Sequence, residues 1–325
     1  MKRIVISLVA AAMLVLGAVG PAQAAPPSHK VNQSKETPIG EIVKRSVPLP
    51  VPSGKEAAKT PERPGGPPVE LKGAAPKHGV APKSASAATR RATSGAYWPG
   101  AYYTNPNRQI GKLYFWTGTR WSHCSATAIN SASKSLVLTA GHCVLDTISN
   151  RWSTNVQFCP GYQYGCKLGV WNASRLGTTG SWYNSTSTNY HWEDDIGIVK
   201  VAYNSNRGYL VNSVGGQGIT FNQSTNLYRS AFGYPAPDSR FPQYNYNGED
   251  LAYCQNYSGY DGYGQLFIPC TMTGGASGGP WLSFVGSNWL GYANGVNSHK
   301  PSGAYMGSPY FGNTELNVWN YWTAQ

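Results

Sequence analysis

The sequence predicts an all-β protein from residue 92 onward. All 22 Tyr and 11 Trp of the 325-residue chain lie after position 91, and turn-forming residues recur there about every ten positions. Helical periodicity of apolar residues is almost absent in this part of the chain. The pattern alone does not distinguish a barrel from a sandwich of two sheets, but this length buries a large core and predicts one structural unit of two subdomains.

Short apolar runs bounded by turn residues predict the individual strands. Four of these runs lie in a first half of the chain, at 111–116, 124–129, 135–138 and 196–201. Four more lie in a second half, at 226–232, 265–268, 280–285 and 288–296. The two groups indicate two β-rich halves.

The first 24 residues predict a secretory signal peptide. Lys2 and Arg3 precede an apolar run at 4–19, and Ala22-Gln23-Ala24 has the small-x-small pattern of a signal peptidase site. The run is shorter than the roughly 20 residues that a membrane-spanning helix needs. We therefore expect a secreted, extracellular protein with no membrane partner once the signal is removed.

Residues 25–91 predict a disordered pro-segment. They contain 12 of the 23 prolines and no aromatic residue, so they cannot bury enough apolar surface to offset the entropy of ordering. Cleavage after the dibasic pair Arg90 and Arg91 would remove the segment. A disordered linker that is not removed is the alternative.

The net charge of +12 belongs mostly to the first 91 residues. After position 91 the chain has 12 Lys and Arg against 9 Asp and Glu, a balance of about +3. This balance gives no basis for a nucleic-acid partner.

The stretch TGGASGGPW, at 273–281, contains a candidate nucleophile, Ser277. Glycines on both sides allow a sharp bend and a close approach to a substrate. The backbone N–H groups of Gly275 and Ser277 are placed to converge on the oxyanion of a tetrahedral intermediate. A tight turn between two strands is the alternative explanation of this stretch.

Two other stretches supply the partners that a nucleophilic serine requires. In LVLTAGHCV, at 136–144, His142 follows an apolar strand and is a candidate general base. In DDIGIVKV, at 194–201, a carboxylate leads directly into a buried strand, where it can orient a histidine.

With these motifs in the order His, Asp, Ser, the chain resembles the chymotrypsin-like serine peptidases over about residues 110–318. The family's hallmarks are TAGHC, a D-I-x-I-V strand start and G-x-S-G-G-P. The resemblance implies two six-stranded antiparallel β-barrels, at 92–205 and 206–325, with the active site in the cleft between them. It also implies a C-terminal helix near 315–321.

The family pattern assigns His142 as base and Ser277 as nucleophile, and it selects Asp195 as the acid. Neighbouring side chains on an extended strand point to opposite faces, so Asp194 is expected to be a solvated rim residue. His123 and His191 are expected to be surface or packing residues.

All six cysteines lie after position 91, and an even number suits disulfides in an exported protein. By sequence alone fifteen pairings are open. The resemblance favours Cys124–Cys143, Cys159–Cys166 and Cys254–Cys270. The histidines have no ligand spacing, so we expect neither a metal nor another cofactor.

Two departures from the family bear on activation. Ala276 stands where many members have the Asp that pairs with a freed N-terminus, and no I-V-G-G start follows Arg91. A pro-segment would therefore keep the enzyme inactive by covering the cleft. These features, with RQIGKLYF at 108–115 and GYP at 233–235, resemble the bacterial glutamyl-endopeptidase (V8-like) branch.

The family pattern also locates a primary substrate pocket. Its floor corresponds to Thr271, followed by Met272, and neither can attract a Lys or Arg substrate as an acid would. The later wall has Asn297 where V8-like enzymes have a histidine, with His299 two residues beyond.

Together these features predict a secreted, monomeric serine endopeptidase that acts on polypeptide substrates through an acyl-enzyme. A catalytically idle binding module with the same fold and an esterase with the same triad are the alternatives.

Overall fold

A computed structural model of the chain describes residues 25–31, 37–52, 67–75 and 93–325. The predicted signal peptide and the pair Arg90 and Arg91 lie outside the described residues. The helices are α1 Ile39–Arg45, α2 Gly180–Tyr183, α3 Leu210–Val214 and α4 Asn313–Thr323. The strands are β1 Ser28–Lys30, β2 Val47–Pro48, β3 Val69–Leu71, β4 Thr93–Tyr97, β5 Ile110–Trp116, β6 Trp121–Ile129, β7 Leu136–Thr139, β8 Leu145–Asp146, β9 Arg151–Trp152, β10 Thr154–Pro160, β11 Trp171–Thr178, β12 Gly197–Val201, β13 Gly218–Phe221, β14 Tyr228–Gly233, β15 Ala252–Tyr257, β16 Gly259–Tyr260, β17 Gln265–Pro269, β18 Pro280–Ser283, β19 Tyr292–Val296 and β20 Tyr305–Pro309.

Six strands of the first half close into an antiparallel barrel, in the order β10, β5, β6, β7, β12, β11. The barrel closes because β11 pairs with both β10 and β12. Every residue of β6 is buried. The outer side of β6 is covered by the second half, where the carbonyl oxygen of Ser277 accepts a hydrogen bond from the Ser125 amide at 2.7 Å.

The second half contains two linked sheets. β14, β15, β18 and β19 lie in one sheet, and β16, β17 and β20 form the other. The backbone amide of Ser298, just after β19, donates to the carbonyl oxygen of Gly307 on β20. The amide of Gly307 donates in turn to the carbonyl oxygen of His299. A disulfide from Cys254 to Cys270 joins β15 to the end of β17. These links join the two sheets into a second β-unit beside the first barrel.

The six cysteines form the three pairs expected from the resemblance: Cys124–Cys143, Cys159–Cys166 and Cys254–Cys270. Three disulfides suit an oxidising, extracellular environment. In the part of the chain that the structure describes, no helix is long and apolar enough to cross a membrane.

Helix α4 closes the chain and packs on the first barrel. The indole of Trp322 fills the space beside Gly177 on β11, where a β-carbon would collide with the ring. The carboxylate of Glu315 accepts a hydrogen bond from the Gly312 amide at 2.8 Å and so caps the start of the helix.

The described stretches of residues 25–91, which the composition predicts to be disordered, form short regular elements against both halves. β1 pairs with β11, β2 pairs with β6, and β3 pairs with β13. Helix α1 buries Ile42 completely in the main hydrophobic core. Composition understates this order because the apolar partners come from the barrels, and tertiary packing supplies most of the stability of short elements.

Candidate active site

The site contains a tightly connected Asp195–His142 pair. Oδ2 of Asp195 lies 2.8 Å from Nδ1 of His142, and Oδ1 accepts the His142 backbone N–H at 2.8 Å. The hydroxyl of Ser298 donates to Oδ2 at 2.6 Å. Burial opposes ionisation of the Asp195 carboxyl, but the charge and hydrogen bonds of His142 and the Ser298 hydroxyl outweigh it, so the pKa of Asp195 lies below its ordinary value.

The local fold explains why these two side chains meet. His142 lies in a 3₁₀ turn that follows β7, and Cys143 ties this turn to Cys124 on β6. A β-carbon at Gly141 would lie 2.9 Å from Oδ1 of Asp195 and 2.7 Å from the Trp182 ring. Glycine therefore lets the carboxylate approach the turn closely enough to bind it.

Ser277 lies in the loop between β17 and β18, which rests against β6 and the His142 turn. Gly278, with φ of +76°, comes so close to Thr139 and Ser125 that any β-carbon would collide with them. The hydroxyl of Ser125 donates to the Gly275 carbonyl oxygen at 2.8 Å. The glycines of GGASGGP thus allow the serine loop to lie against the first barrel. A β-carbon on Gly278 would be 2.9 Å from the backbone nitrogen of Ala140, which is two residues before His142.

The two atoms that would exchange the proton are both buried. Oγ of Ser277 and Nε2 of His142 have no hydrogen-bond partner among the described residues. Ser277 has no exposed surface, and the His142 side chain is 9% exposed. No other group therefore occupies the serine hydroxyl or the ring nitrogen, and both are available to each other and to a substrate.

The expectation that Asp194 is a solvated rim residue is wrong. Asp194 is 6% exposed, and burial raises the pKa of its carboxyl. Its backbone carbonyl accepts from the Thr179 hydroxyl at 2.8 Å. It is the last residue of a 3₁₀ turn, Trp192–Asp194, rather than part of a strand, so the alternation of strand faces does not apply to it.

The other two histidines near the motifs have different surroundings. His123 is buried, and its Nδ1 lies 3.2 Å from the Ser46 hydroxyl. Burial, with the charge of Lys112 nearby, lowers the pKa of His123 well below its ordinary value. His191 is partly exposed, with its Nδ1 2.8 Å from a carboxylate oxygen of Glu193.

Two groups of potential metal ligands occur in the described part of the chain. One contains His142 and the sulfurs of Cys124 and Cys143, which the disulfide already uses. The other brings atoms of His191, Glu193 and Asp194 within 4.8 Å of one another. Burial raises the pKa of Glu193 and of Asp194, and a carboxylate oxygen of Glu193 already lies 2.8 Å from Nδ1 of His191.

The predicted floor residues of the pocket face different surroundings. The hydroxyl of Thr271 donates to the Ser94 carbonyl at 2.9 Å and lies 2.8 Å from the Tyr246 hydroxyl. Met272 is fully buried in the core of the second half. Thr271 is therefore bound to β4 and to the loop before β15.

The predicted wall residues are both buried. The amide of Asn297 donates to the carbonyls of Phe232 and Ala276, and its oxygen accepts from the Trp281 indole at 2.8 Å. His299 packs against Trp192 with ring centroids 5.2 Å apart, and burial lowers its pKa to about 4. Asn297 thus braces the Ser277 loop, whereas His299 lies beside the Asp195 pair.

Two residues of the site were missed by the sequence analysis. Ser298 bonds Asp195, and Lys300 donates from Nζ to the carbonyls of Cys270 at 2.9 Å and Met272 at 3.2 Å. Burial lowers the pKa of Lys300 to about 8. A single serine such as Ser298 gives no sequence signal in a chain so rich in polar residues. Lys300 did give a usable signal, because it is a lone cation beside the predicted pocket wall.

A cavity of about 960 Å³ opens beside His142. Its walls include Trp182 and Trp192, and on one side Leu49 and Pro50 of the predicted pro-segment. The site is therefore a cleft with an aromatic wall, and part of the N-terminal segment lies in it.

The solved structures most informative for comparison are serine proteases. The protease AniSEP from Arthrobacter nicotinovorans is 32% identical over 69% of this chain and 99% of its own, with a TM-score of 0.59. The thermostable serine protease AL20 from an extremophilic microorganism is 34% identical over 67% of this chain and 98% of its own, with a TM-score of 0.60. A Glu endopeptidase, 19% identical over 71% of this chain and 97% of its own, shares the fold with a TM-score of 0.56.

No protein-family profile matches the chain, and no curated protein matches it in sequence. The closed barrel, the second β-unit and these similarities nevertheless define the class as a two-barrel serine protease fold. The chain belongs to the chymotrypsin-fold serine proteases. The predicted resemblance and the all-β, two-barrel fold are confirmed.

Proposed function

We propose that this protein is a secreted serine endopeptidase with Ser277 as nucleophile, His142 as base and Asp195 as the acid that orients it. The observation that carries the proposal is the buried His142–Asp195 pair, with the unpaired Ser277 Oγ in the loop that packs beside its turn. Membership of the serine protease family supports a peptide as the substrate. Secretion rests on the predicted signal peptide and is supported by the three disulfides.

In the first half of the reaction, Oγ of Ser277 attacks the carbonyl carbon of the peptide while Nε2 of His142 takes the hydroxyl proton. The Asp195 carboxylate keeps the proton on Nδ1 and stabilises the imidazolium that forms. The amides of Gly275 and Ser277 donate to the oxyanion of the tetrahedral intermediate. The intermediate then collapses to an acyl-enzyme as His142 gives its proton to the departing amine.

In the second half, His142 takes a proton from a water molecule, which attacks the ester carbonyl of acylated Ser277. The same two amides stabilise the second oxyanion. Collapse releases the carboxylic acid and returns the proton from His142 to Oγ of Ser277. Atoms and charges balance without a cofactor.

An esterase would use the same residues on a different acyl group, and a binding module would use none of them. The test is to assay the secreted protein on casein and on small acyl esters, with and without a fluorophosphonate that reacts with activated serines. Ser277→Ala should abolish labelling and both activities. Ser205→Ala, a change of an exposed serine that does not line the cleft, is the matched control and should leave both unchanged.

The outcomes separate the three functions. Hydrolysis of casein supports the endopeptidase, and hydrolysis of esters alone would replace it by the esterase. A folded protein that neither labels at Ser277 nor hydrolyses either substrate after removal of residues 25–91 would overturn the proposal in favour of a binding module.

A further inference from the structure

Residues 46–52, with the sequence SVPLPVP, form a stretch that we name the cleft segment because it crosses the site from one barrel to the other. At its start, Val47 and Pro48 pair in parallel with β6 of the first barrel. At its end, the carbonyl oxygen of Pro52 accepts the Lys300 amide of the second half at 2.8 Å. Backbone hydrogen bonds to both walls thus fix the segment across the cleft.

Between these ends, the cleft segment occupies a hydrogen-bond donor that catalysis requires. The amide of Gly275 donates to the carbonyl oxygen of Leu49 at 2.9 Å, and the Leu49 amide donates to the backbone carbonyl oxygen of His123 at 3.0 Å. A β-carbon at Gly274 would lie 3.1 Å from the same Leu49 oxygen. The Leu49 carbonyl therefore lies where the Gly275 amide would hold a substrate oxyanion.

The side chains and prolines of the cleft segment suit it to this position. Val51 is 3% exposed and packs in the core of the second half, while Leu49 packs against the main hydrophobic core. Prolines at 48, 50 and 52 fix φ, so the segment loses little conformational entropy when it docks. They also lack N–H groups that would be left without partners in a buried cleft.

The chain before the cleft segment fastens it to the barrel. Helix α1 ends at Arg45, one residue before the segment begins, and its Ile42 is completely buried in the main core. The hydroxyl of Ser46 lies 3.2 Å from the ring of His123 on β6. The segment is thus held by its own contacts and by a docked helix that immediately precedes it.

We propose that the cleft segment is a built-in inhibitor, whose Leu49 carbonyl takes the Gly275 amide and which excludes a polypeptide from the cleft until the N-terminal region is removed. The inference rests on the proposed function, because it names Gly275 as an oxyanion donor of that same site. It requires no rearrangement of the Ser277 loop, since the segment blocks a donor that is already in place. Release of the N-terminal region would then expose Ser277.

The experiment uses the whole secreted chain and measures the rate at which a fluorophosphonate labels Ser277 in the uncleaved protein, with mass spectrometry to confirm that the labelled chain is intact. Leu49→Asp places a charge in the cleft segment and should unseat it. Because labelling scales with the fraction of molecules whose cleft is open, we expect it to be about tenfold faster or more than in the wild-type chain. Leu71→Asp, the same change in β3, is the matched control and should label at the wild-type rate.

A second variant, Val51→Asp, removes the other apolar anchor and should also accelerate labelling, with circular dichroism to show that each variant is folded. Equal labelling rates in the wild-type chain, Leu49→Asp and Val51→Asp would overturn the inference while leaving the proposed function intact. Absence of labelling in all three, both before and after added protease removes residues 25–91, would instead overturn the proposed function.

Discussion

Two sides of the cleft are held by different kinds of contact. We name them the His142 wall, which includes His142, Asp195 and Ser298, and the Ser277 wall, which includes the Ser277 loop and Lys300. On the His142 wall, side chains do the positioning, because the Asp195 carboxylate accepts from the ring and backbone of His142 and from the Ser298 hydroxyl. On the Ser277 wall, the contacts hold the backbone of the loop: the Ser277 carbonyl accepts from the Ser125 amide, and the Ala276 carbonyl accepts from the side-chain amide of Asn297.

The difference matches what each proposed role demands. A base must keep one tautomer and one ring orientation, and a buried carboxylate with three hydrogen bonds fixes both. A nucleophile's hydroxyl must be left to the base and the substrate, so its loop has to be anchored through other atoms. Oγ of Ser277 has no partner in the described chain, whereas the backbone around it is bonded to the first barrel.

The strongest test of the comparison removes one reactive group from each wall. Ser277→Ala and His142→Ala should each lower kcat by on the order of 10⁵-fold, and the double variant should be hardly worse, because the two act as a unit. Steady-state kinetics on a small ester measure all three. Losses that multiply in the double variant would show that the two walls do not work together.

The next test separates two adjacent carboxylates on the His142 wall. Asp195→Asn should lower kcat by about 10⁴-fold, because an amide no longer stabilises the imidazolium or fixes its tautomer. Asp194→Asn should leave turnover near the wild-type value, since Asp194 does not contact His142 and its carboxyl resists ionisation. Activity that survives Asp195→Asn but is lost in Asp194→Asn would reverse the assignment.

The sequence predicted the parts of this site that depend on short motifs. TAGHC, DDIGIV and GGASGGP contain their own glycines and strand starts, so His142, Asp195 and Ser277 could be proposed without coordinates, and the structure brings His142 and Asp195 into contact. Ser298 and Lys300 were not, because their roles arise only when the chain after β19 passes beside Asp195 and the end of β17.

The same limit explains two other differences from the sequence analysis. Asp194 was placed on the rim by strand alternation, but a 3₁₀ turn carries it into the interior. The composition of residues 25–91 indicated disorder because it measures only the segment's own apolar content. Val51 and Ile42 instead use apolar surface that the barrels provide.

The disulfides allow the two walls to be loosened separately. Cys124–Cys143 closes 19 residues and clamps the His142 turn, while Cys254–Cys270 closes 16 residues in the second half. Replacing either pair with alanine should lower the free energy of unfolding by about 3 kcal/mol, because the unfolded chain regains a similar loop entropy. Only the Cys124/Cys143 replacement should also lower kcat markedly in the folded enzyme. Urea titrations and kinetics on each variant measure both effects, and equal kcat values would mean that the His142 turn needs no clamp.

A smaller effect should follow from Ser298→Ala on the His142 wall. Loss of one hydrogen bond to a charged group should lower kcat about tenfold, and Ser298→Thr, which keeps the hydroxyl, should recover most of the lost kcat.

The same variant should also change how stability depends on pH. The pKa of Asp195 lies below its ordinary value, so ionised Asp195 stabilises the fold at pH values above the ordinary pKa. This stability is lost as the pH falls through the folded pKa. Without the Ser298 hydroxyl the pKa of Asp195 rises, and the loss of stability in acid should begin at a higher pH. Urea midpoints between pH 3 and 7 measure it; an unchanged acid transition would show that the hydroxyl does not support the carboxylate.

The smallest expected effect on turnover concerns Lys300 on the Ser277 wall, whose ammonium is held by backbone carbonyls rather than by a carboxylate, so its test is a measurement of stability. Burial lowers its pKa to about 8, whereas the unfolded value is about 10.5, so between these values the unfolded chain binds more protons and stability rises with pH. In Lys300→Met this contribution is absent. The variant's stability relative to wild type should therefore fall by roughly 3 kcal/mol between pH 7.5 and 10.5, as urea titrations at matched pH would measure. Lys300→Arg, which stays charged throughout, is the control and should also lack the rise. A constant difference between Lys300→Met and wild type across this range would mean that carbonyls on the Ser277 wall hold the ammonium as well as water does.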